Sequence, residues 1–291
     1  MSDYRTLTRR DFVKDSTLGA LALGLAATAS RAGFAAEEKS IVAIVRDEKV
    51  QDAAGKIDDA ALRKMLDEVI KTATGESSGA AGWKKLIKPD DVVGLVPTEH
   101  FNKTHPEVIA AVTAAIVEAG VPAGRIQNVQ GKIAAAEKCT ALVSLPALKT
   151  HWLTGLGTVM KNYITFTGKP SAYHQEKNAE LGSIWSAPAI KGKTRIVLVD
   201  ALRPLCAGGP QVDPKYVWNY NGLMAGTDPV AVEATALKIL QAKRNAVKGE
   251  PWEITPPPLC VAAADKQYKL GTSDPGKIAV KMSGWEKDLL I

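Results

Sequence analysis

Apolar positions recur in two rhythms along this chain. Residues 41–45, Ile-Val-Ala-Ile-Val, form an unbroken aliphatic run, residues 91–96, 141–145 and 194–200 are mostly apolar, and residues 125–129 are a more polar strand candidate. Runs this short and this apolar predict strands buried on both faces. Residues 222–225 and 277–282 are weaker strand candidates. Between these runs the period changes. Leu62, Met65, Leu66, Val69 and Ile70 fall at i, i+3, i+4, i+7 and i+8, one stripe of a helix, with Asp58 or Asp59 placed to cap it. Residues 106–119 repeat the pattern through Val108, Val112 and Ile116 and stop at Gly120. A third helix is expected over 228–246, opened by Asp228-Pro229 and faced by Val230, Ala234, Leu237 and Leu240. Strands alternating with amphipathic helices predict an α/β fold, a mostly parallel sheet with helices on both faces, in one domain or two lobes.

The first 36 residues break the alternation. Thr8-Arg9-Arg10-Asp11-Phe12-Val13-Lys14 sets paired arginines ahead of an uncharged stretch, residues 16–30, mostly Leu, Ala and Gly. Small residues then offer cleavage after Ala29 or Ala35. A charged start, a short apolar middle and a small-residue end predict a twin-arginine export signal over 1–36 and a periplasmic or otherwise exported protein. The export machinery is then a partner. About 255 residues would remain, an α/β domain over 37–291.

Composition narrows the function classes. The chain carries 37 basic and 31 acidic residues, a net charge of +6, and no basic run interleaved with aromatics. That mild balance predicts no nucleic-acid partner. Beyond the leader no apolar segment approaches the roughly 20 residues a membrane helix needs, so no membrane span is expected in the mature chain. Cys139, Cys206 and Cys260 form no Cys-x-x-Cys, so neither an iron–sulfur cluster nor a structural zinc site is signalled. Their odd number allows one disulfide, but their apolar neighbours favour burial.

The segment Leu145-Pro146-Ala147-Leu148-Lys149-Thr150-His151-Trp152-Leu153-Thr154-Gly155, with Met160-Lys161-Asn162 after it, is the densest in candidate chemistry. Together with Gly208-Gly209-Pro210 and Thr227-Asp228-Pro229-Val230-Ala231-Val232 it resembles the domain of unknown function 362 family. The resemblance runs from about residue 41 to the C-terminus and implies an α/β fold. Where that family has Lys-Pro-Asn after the second strand, this chain has Val96-Pro97-Thr98. A more distant likeness is to nickel-pincer lactate racemases, in which a histidine, a Gly-rich turn and a cofactor-tethering lysine ten positions on recur. His151 and Lys161 are ten apart across Gly155 and Gly157, whereas the arginine before that lysine is missing and only His174, at a different spacing, matches the later nickel-binding histidine. The cofactor stays unassigned, and no metal ligand is assigned.

Ten residues of continuous helix would hold His151 and Lys161 roughly 15 Å apart. They meet only if the turn at 154–157 intervenes, which its glycines favour. A strand end, a turn and a helix start are where open α/β sheets bind ligands, and the helix N-terminus with Lys and His nearby suits a small anionic molecule. His151 is then the candidate general base and Lys161 the candidate acid or nucleophile. Lys149 and Asn162 are expected to orient the anion, with His174 and Asp228 as further ligand-binding candidates. Against these stand blander readings: solvated lysines, a loop histidine at 174, and an Asp228 that only caps its helix. Glu99, His100 and His105 include possible metal ligands without a recognised spacing, and Thr104 is expected to cap the helix that begins at His105-Pro106. The function expected is an enzyme on a small anion, or a non-catalytic binding or accessory protein that uses the same pocket.

Overall fold

The computed structural model describes residues 39–291; the expected leader, residues 1–36, lies outside the described residues. Residues 39–291 form one compact unit. Its elements are β1 (Ser40–Arg46), α1 (Asp59–Thr74), α2 (Gly79–Leu86), β2 (Val93–Pro97), α3 (Pro106–Glu118), β3 (Ile126–Asn128), α4 (Ile133–Lys138) and β4 (Ala141–Leu145). Then follow β5 (Ala147–His151), β6 (Gly155–Leu156), a run of 3₁₀ turns, α5 (Leu181–Trp185), β7 (Thr194–Leu205), β8 (Gly222–Gly226), α6 (Pro229–Lys248), α7 (Leu259–Lys266) and β9 (Ile278–Gly284). Among the described residues no helix is long and apolar enough to cross a membrane.

The sheet runs β3-β2-β4-β7-β8-β1-β9, with β5 paired to the far half of β7 and β6 to β5. It is mixed and mostly parallel, as expected: β2–β3, β2–β4, β4–β7, β5–β7 and β1–β9 are parallel, while β8 runs antiparallel to both β1 and β7. Alternate residues of each central strand feed two separate cores. Ala43, Val45, Val143 and Leu198 pack with Leu62, Met65, Val69 and Ile70 of α1 and with Val108, Val112 and Ile116 of α3. Val42, Ile44, Leu142, Val197 and Met224 face the other way, onto Val230, Ile239 and Leu240 of α6 and Cys260 of α7. Both faces are therefore covered, the condition under which near-continuous apolar strands are stable.

The helix boundaries follow the capping chemistry. Asp58 accepts from the Ala61 amide, and Gly75 closes α1 with φ +71°. Asp228 caps α6 through the amides of Val230 and Ala231. Its other oxygen accepts from Ser40 Oγ at 2.7 Å and Thr272 N at 3.0 Å, so one carboxylate ties α6 to the start of β1 and to the approach to β9. The expectation for Thr104 is corrected. His105 occupies the cap position of α3 without a side-chain cap bond. Thr104 Oγ1 instead donates to Leu145 O and accepts from Thr98 N, bonds that fasten the loop after β2 to the end of β4. All three cysteines are free and buried.

Candidate functional site

Three parallel strands end on the same side. Thr98 to Phe101 follow β2, Gln130 follows β3, and β5 with Lys149 and His151 follows β4 after Pro146. This is the carboxyl edge, the place where open α/β sheets leave a crevice. A cavity of about 270 Å³ opens there, lined by Lys149, His151, Lys161, Asn162, His174 and the loop at Thr98–Phe101, with Gln130 and Thr165 on its wall. It falls just below the usual range of ligand pockets, roughly 300–1,000 Å³, so it suits a small molecule.

The tight turn that brings His151 and Lys161 together is real, and it is a hairpin. Thr150 pairs with Leu156 and His151 with Gly155. Gly155 sits at φ +74°, and a Cβ there would collide with the Pro256 carbonyl. Gly155→Ala is therefore expected to lower stability by about 2 kcal/mol or more, from left-handed backbone plus the collision. Thermal unfolding checks this, and a loss under about 0.5 kcal/mol would show that the hairpin tolerates a side chain.

Each of the expected residues has a defined setting. The Lys149 ammonium is buried and donates to the carbonyls of His100 and Asn102, both at 3.1 Å, so it clips the loop carrying Phe101 over the cavity. Burial, then the Lys161 charge, brings its pKa down to about 7. Lys161 lies 3.4 Å from His174 Nε2, and burial lowers its pKa to about 8, with the Cys260 thiol acting the other way. His151 Nδ1 accepts from Leu153 N at 3.1 Å, which puts the proton of the neutral ring on Nε2. Burial, reinforced by Lys161, His174 and Lys149, brings its pKa down to about 2, so it stays neutral. Its ring centre is 5.6 Å from that of His174, which is itself lowered by burial and by Lys161. Near neutral pH His151 is thus a hydrogen-bond donor, and the partly neutral amine of Lys161 is the basic atom of the set.

Asn162 lines the cavity but its amide is engaged with the protein. Nδ2 donates to Val96 O and Ser144 Oγ, and Oδ1 accepts from Thr98 Oγ1 at 3.1 Å. It ties the ends of β2 and β4 to the turn that bears Lys161. Thr98, standing where the resembled family has asparagine, thereby joins the site. Asp228 is not among the cavity-lining residues; its carboxylate serves α6, Ser40 and Thr272. His105 also belongs elsewhere, with Nδ1 against Asp200 at 2.6 Å. Burial opposes its charge, but the Asp200 hydrogen bond and charge outweigh it and the pKa rises.

Glu233 had no place in the sequence reading. It is fully buried on α6, and its carboxylate accepts from Val159 N at 2.8 Å and Met160 N at 3.1 Å. Those amides open the 3₁₀ turn Met160–Thr167 that carries Lys161. The helix N-terminus expected to hold the anion is therefore filled by the chain's own carboxylate, and a ligand must use side chains instead. Burial lifts Glu233 to about 7, with the two amides pulling the other way. Its one sequence signal was a carboxylate inside the apolar run Val230-Ala231-Val232-Glu233-Ala234.

The positions singled out by the racemase likeness, His151, Lys161 and His174, do meet in this cavity. Yet among the described residues no group of three or more His, Cys, Asp or Glu is arranged to hold a metal. Two neutral imidazoles beside an ammonium do not make a nickel site on their own. Among the described lining residues the one carboxylate is Glu99, exposed and held by Asn128 Nδ2. The arrangement can do three things: attract an anion, donate from His151 Nε2, and exchange a proton or form a covalent bond at Lys161.

No curated protein and no solved structure matches the chain. Residues 120–238 do match a family, described as a domain of unknown function (DUF362). That segment is narrower than the reach of the resemblance. It includes Gln130, Lys149, His151, Lys161, His174 and Glu233 and leaves out the loop at Thr98–Phe101. The likeness to the domain of unknown function 362 family is thus carried by residues 120–238.

Proposed function

We propose that this chain is an exported protein that binds a small organic anion in the cavity at the carboxyl edge of its sheet and presents it to the Lys161 amine. The observation that carries this reading is the convergence of Lys149, His151, Lys161 and His174 on one cavity whose lining, among the described residues, includes a single, exposed carboxylate. Two lysines of lowered basicity crowd one another there, and an anion relieves that crowding. The arginine pair at Arg9-Arg10 and the apolar stretch after it support the exported setting.

Anion affinity depends on protonated lysines. It is expected to fall as pH rises through about 7 and about 8, where Lys149 and Lys161 lose their protons. Titration calorimetry with propionate and propyl phosphate at pH 6.5 and 9.5 reads this as at least about a tenfold weakening, the equivalent of one ion contact of ~1.4 kcal/mol. Affinity independent of pH would sink the lysine assignment.

Two readings share the pocket. In the enzymatic one the neutral Lys161 amine attacks a carbonyl on the bound anion, water leaves, and an imine forms that takes up a proton from solvent. The second is binding without turnover, favoured by His151, whose Nδ1 is taken up by Leu153 N and offers no free acceptor in that tautomer. Incubation with pyruvate and cyanoborohydride separates them: a reduced adduct mapping to Lys161 supports chemistry, and unmodified protein that binds pyruvate supports binding alone.

A further inference from the structure

A strained residue stands on the rim of the cavity. Phe101 has φ +57°, left-handed backbone that an aromatic residue adopts only at a cost, and its side chain is one of the large apolar ones left exposed, at 51 %. The carbonyls on either side of it, His100 O and Asn102 O, are the two that the buried Lys149 ammonium holds. A charge taken out of water and a strained backbone thus combine to present a ring to solvent at a place where it lines the cavity. That arrangement lowers the stability of the empty protein, and strain of this kind collects at ligand clamps. The rest of the lining is graded in the same sense. Lys149 and His151 are buried, whereas Pro170 is exposed and Pro210 half-buried. The basic groups therefore form the deep part of the cavity, and Phe101 and the two prolines give its outer part a hydrocarbon surface, continued inward by the buried Ile164.

We propose that the anion bound here carries a compact apolar body about the size of one aromatic ring, and that Phe101 packs on that body as a specificity determinant of the site. This rests on the anion-binding reading above and deepens it by naming the other end of the ligand. With the anionic group among the lysines, the remainder of the molecule meets Phe101, Ile164, Pro170 and Pro210. A second anionic group is disfavoured there, because the exposed Glu99 carboxylate shares the rim. Volume allows the ring: a cavity of roughly 150 Å³ is enough for benzene, and this one has about 270 Å³. An aromatic or similarly compact apolar group would also cover part of the exposed Phe101 face. Both surfaces then leave water together, and offset or edge-to-face ring contact adds to that burial.

The test compares acetate with phenylacetate and methyl phosphate with phenyl phosphate by titration calorimetry at pH 6.5, on the full chain, on Phe101→Gly and on Phe101→Tyr. The two pairs separate a carboxylate from a phosphate as the anionic end. Within the pair whose head group binds, the aromatic member is expected to bind at least about tenfold more tightly. Phe101→Gly removes the ring and suits the left-handed backbone, so its melting temperature should hold while that ratio shrinks by at least about threefold. Phe101→Tyr keeps a ring and should keep the ratio. Equal affinities within a pair that binds would overturn the apolar-body assignment and leave the anion site standing. A ratio unchanged in Phe101→Gly would overturn the role of Phe101. So would a marked fall in that variant's melting temperature, which would show the ring packing on the protein itself. Absence of binding by all four probes would remove the anion reading and this inference together.

Discussion

Lys161→Met is expected to abolish anion binding and, at the same time, to raise the melting temperature. Burial holds the ammonium at about 8 instead of its ordinary 10.5. A base with a folded pKa below its unfolded one costs stability while it is charged. The cost is full below pH 8 and fades as the pH climbs to 10.5. The shift corresponds to on the order of 3 kcal/mol at pH 7, at ~1.4 kcal/mol per unit. Methionine keeps most of the volume, drops the charge and loses only the His174 contact. A net gain of about 1–3 kcal/mol is expected, roughly 3–10 °C for a chain of this size. Scanning calorimetry at pH 7 and pH 10.5 checks it, since the gain should shrink at the higher pH. A melting point lowered at both would make Lys161 a structural residue and weaken the case for a site. A residue that destabilises the empty protein and serves a ligand is the usual mark of function set against stability.

The second large effect belongs to Glu233. Glu233→Ala leaves the Val159 and Met160 amides buried without an acceptor. Two stranded donors and the cavity beside them are expected to cost about 3 kcal/mol or more. The pH dependence has a definite sign. A carboxyl raised to about 7 holds its proton more tightly when folded, so the wild type loses stability as pH rises from about 4.5 to about 7. The variant lacks that slope, and its deficit should be larger at pH 5 than at pH 8 in urea unfolding. A deficit under about 1 kcal/mol, equal at both, would mean the two amides find other acceptors. Because those amides open the turn that bears Lys161, weaker anion binding is expected to accompany the loss.

The frame of the fold was legible because its signals are local. The β1 run is self-sufficient in hydrophobicity, and Asp58 and Asp228 announce helices by a capping reaction completed within three residues. The convergence of His151 with Lys161 was legible for a related reason, since a glycine turn between them is a local matter. What stayed hidden depends on distant partners. β5 reads as polar, Lys-Thr-His, and becomes a buried strand only because the far half of β7 extends to Leu205 to meet it. The role of Lys149 as a clip depends on carbonyls 47 and 49 residues away. Thr104 looked like a cap by position, yet a carbonyl at the end of β4 claimed its hydroxyl. Glu233 lies 73 and 74 residues from the amides it satisfies, a distance no periodicity spans.

The place of β1 in the sheet sets a timetable for the ribosome. It lies between β8 and β9, with Arg46 opposite both Gly222 and Gly284. Its nearest pairing is thus 176 residues downstream, and at about 5–20 residues per second that partner emerges some 10–35 s later. During that interval an aliphatic strand waits with both edges bare, the condition in which strands pair with the wrong neighbour. Pairings this far apart in sequence also slow the search itself. The β9 side of the sheet is therefore among the last parts of the molecule to close, and residues 40–46 are the apolar segment left waiting longest.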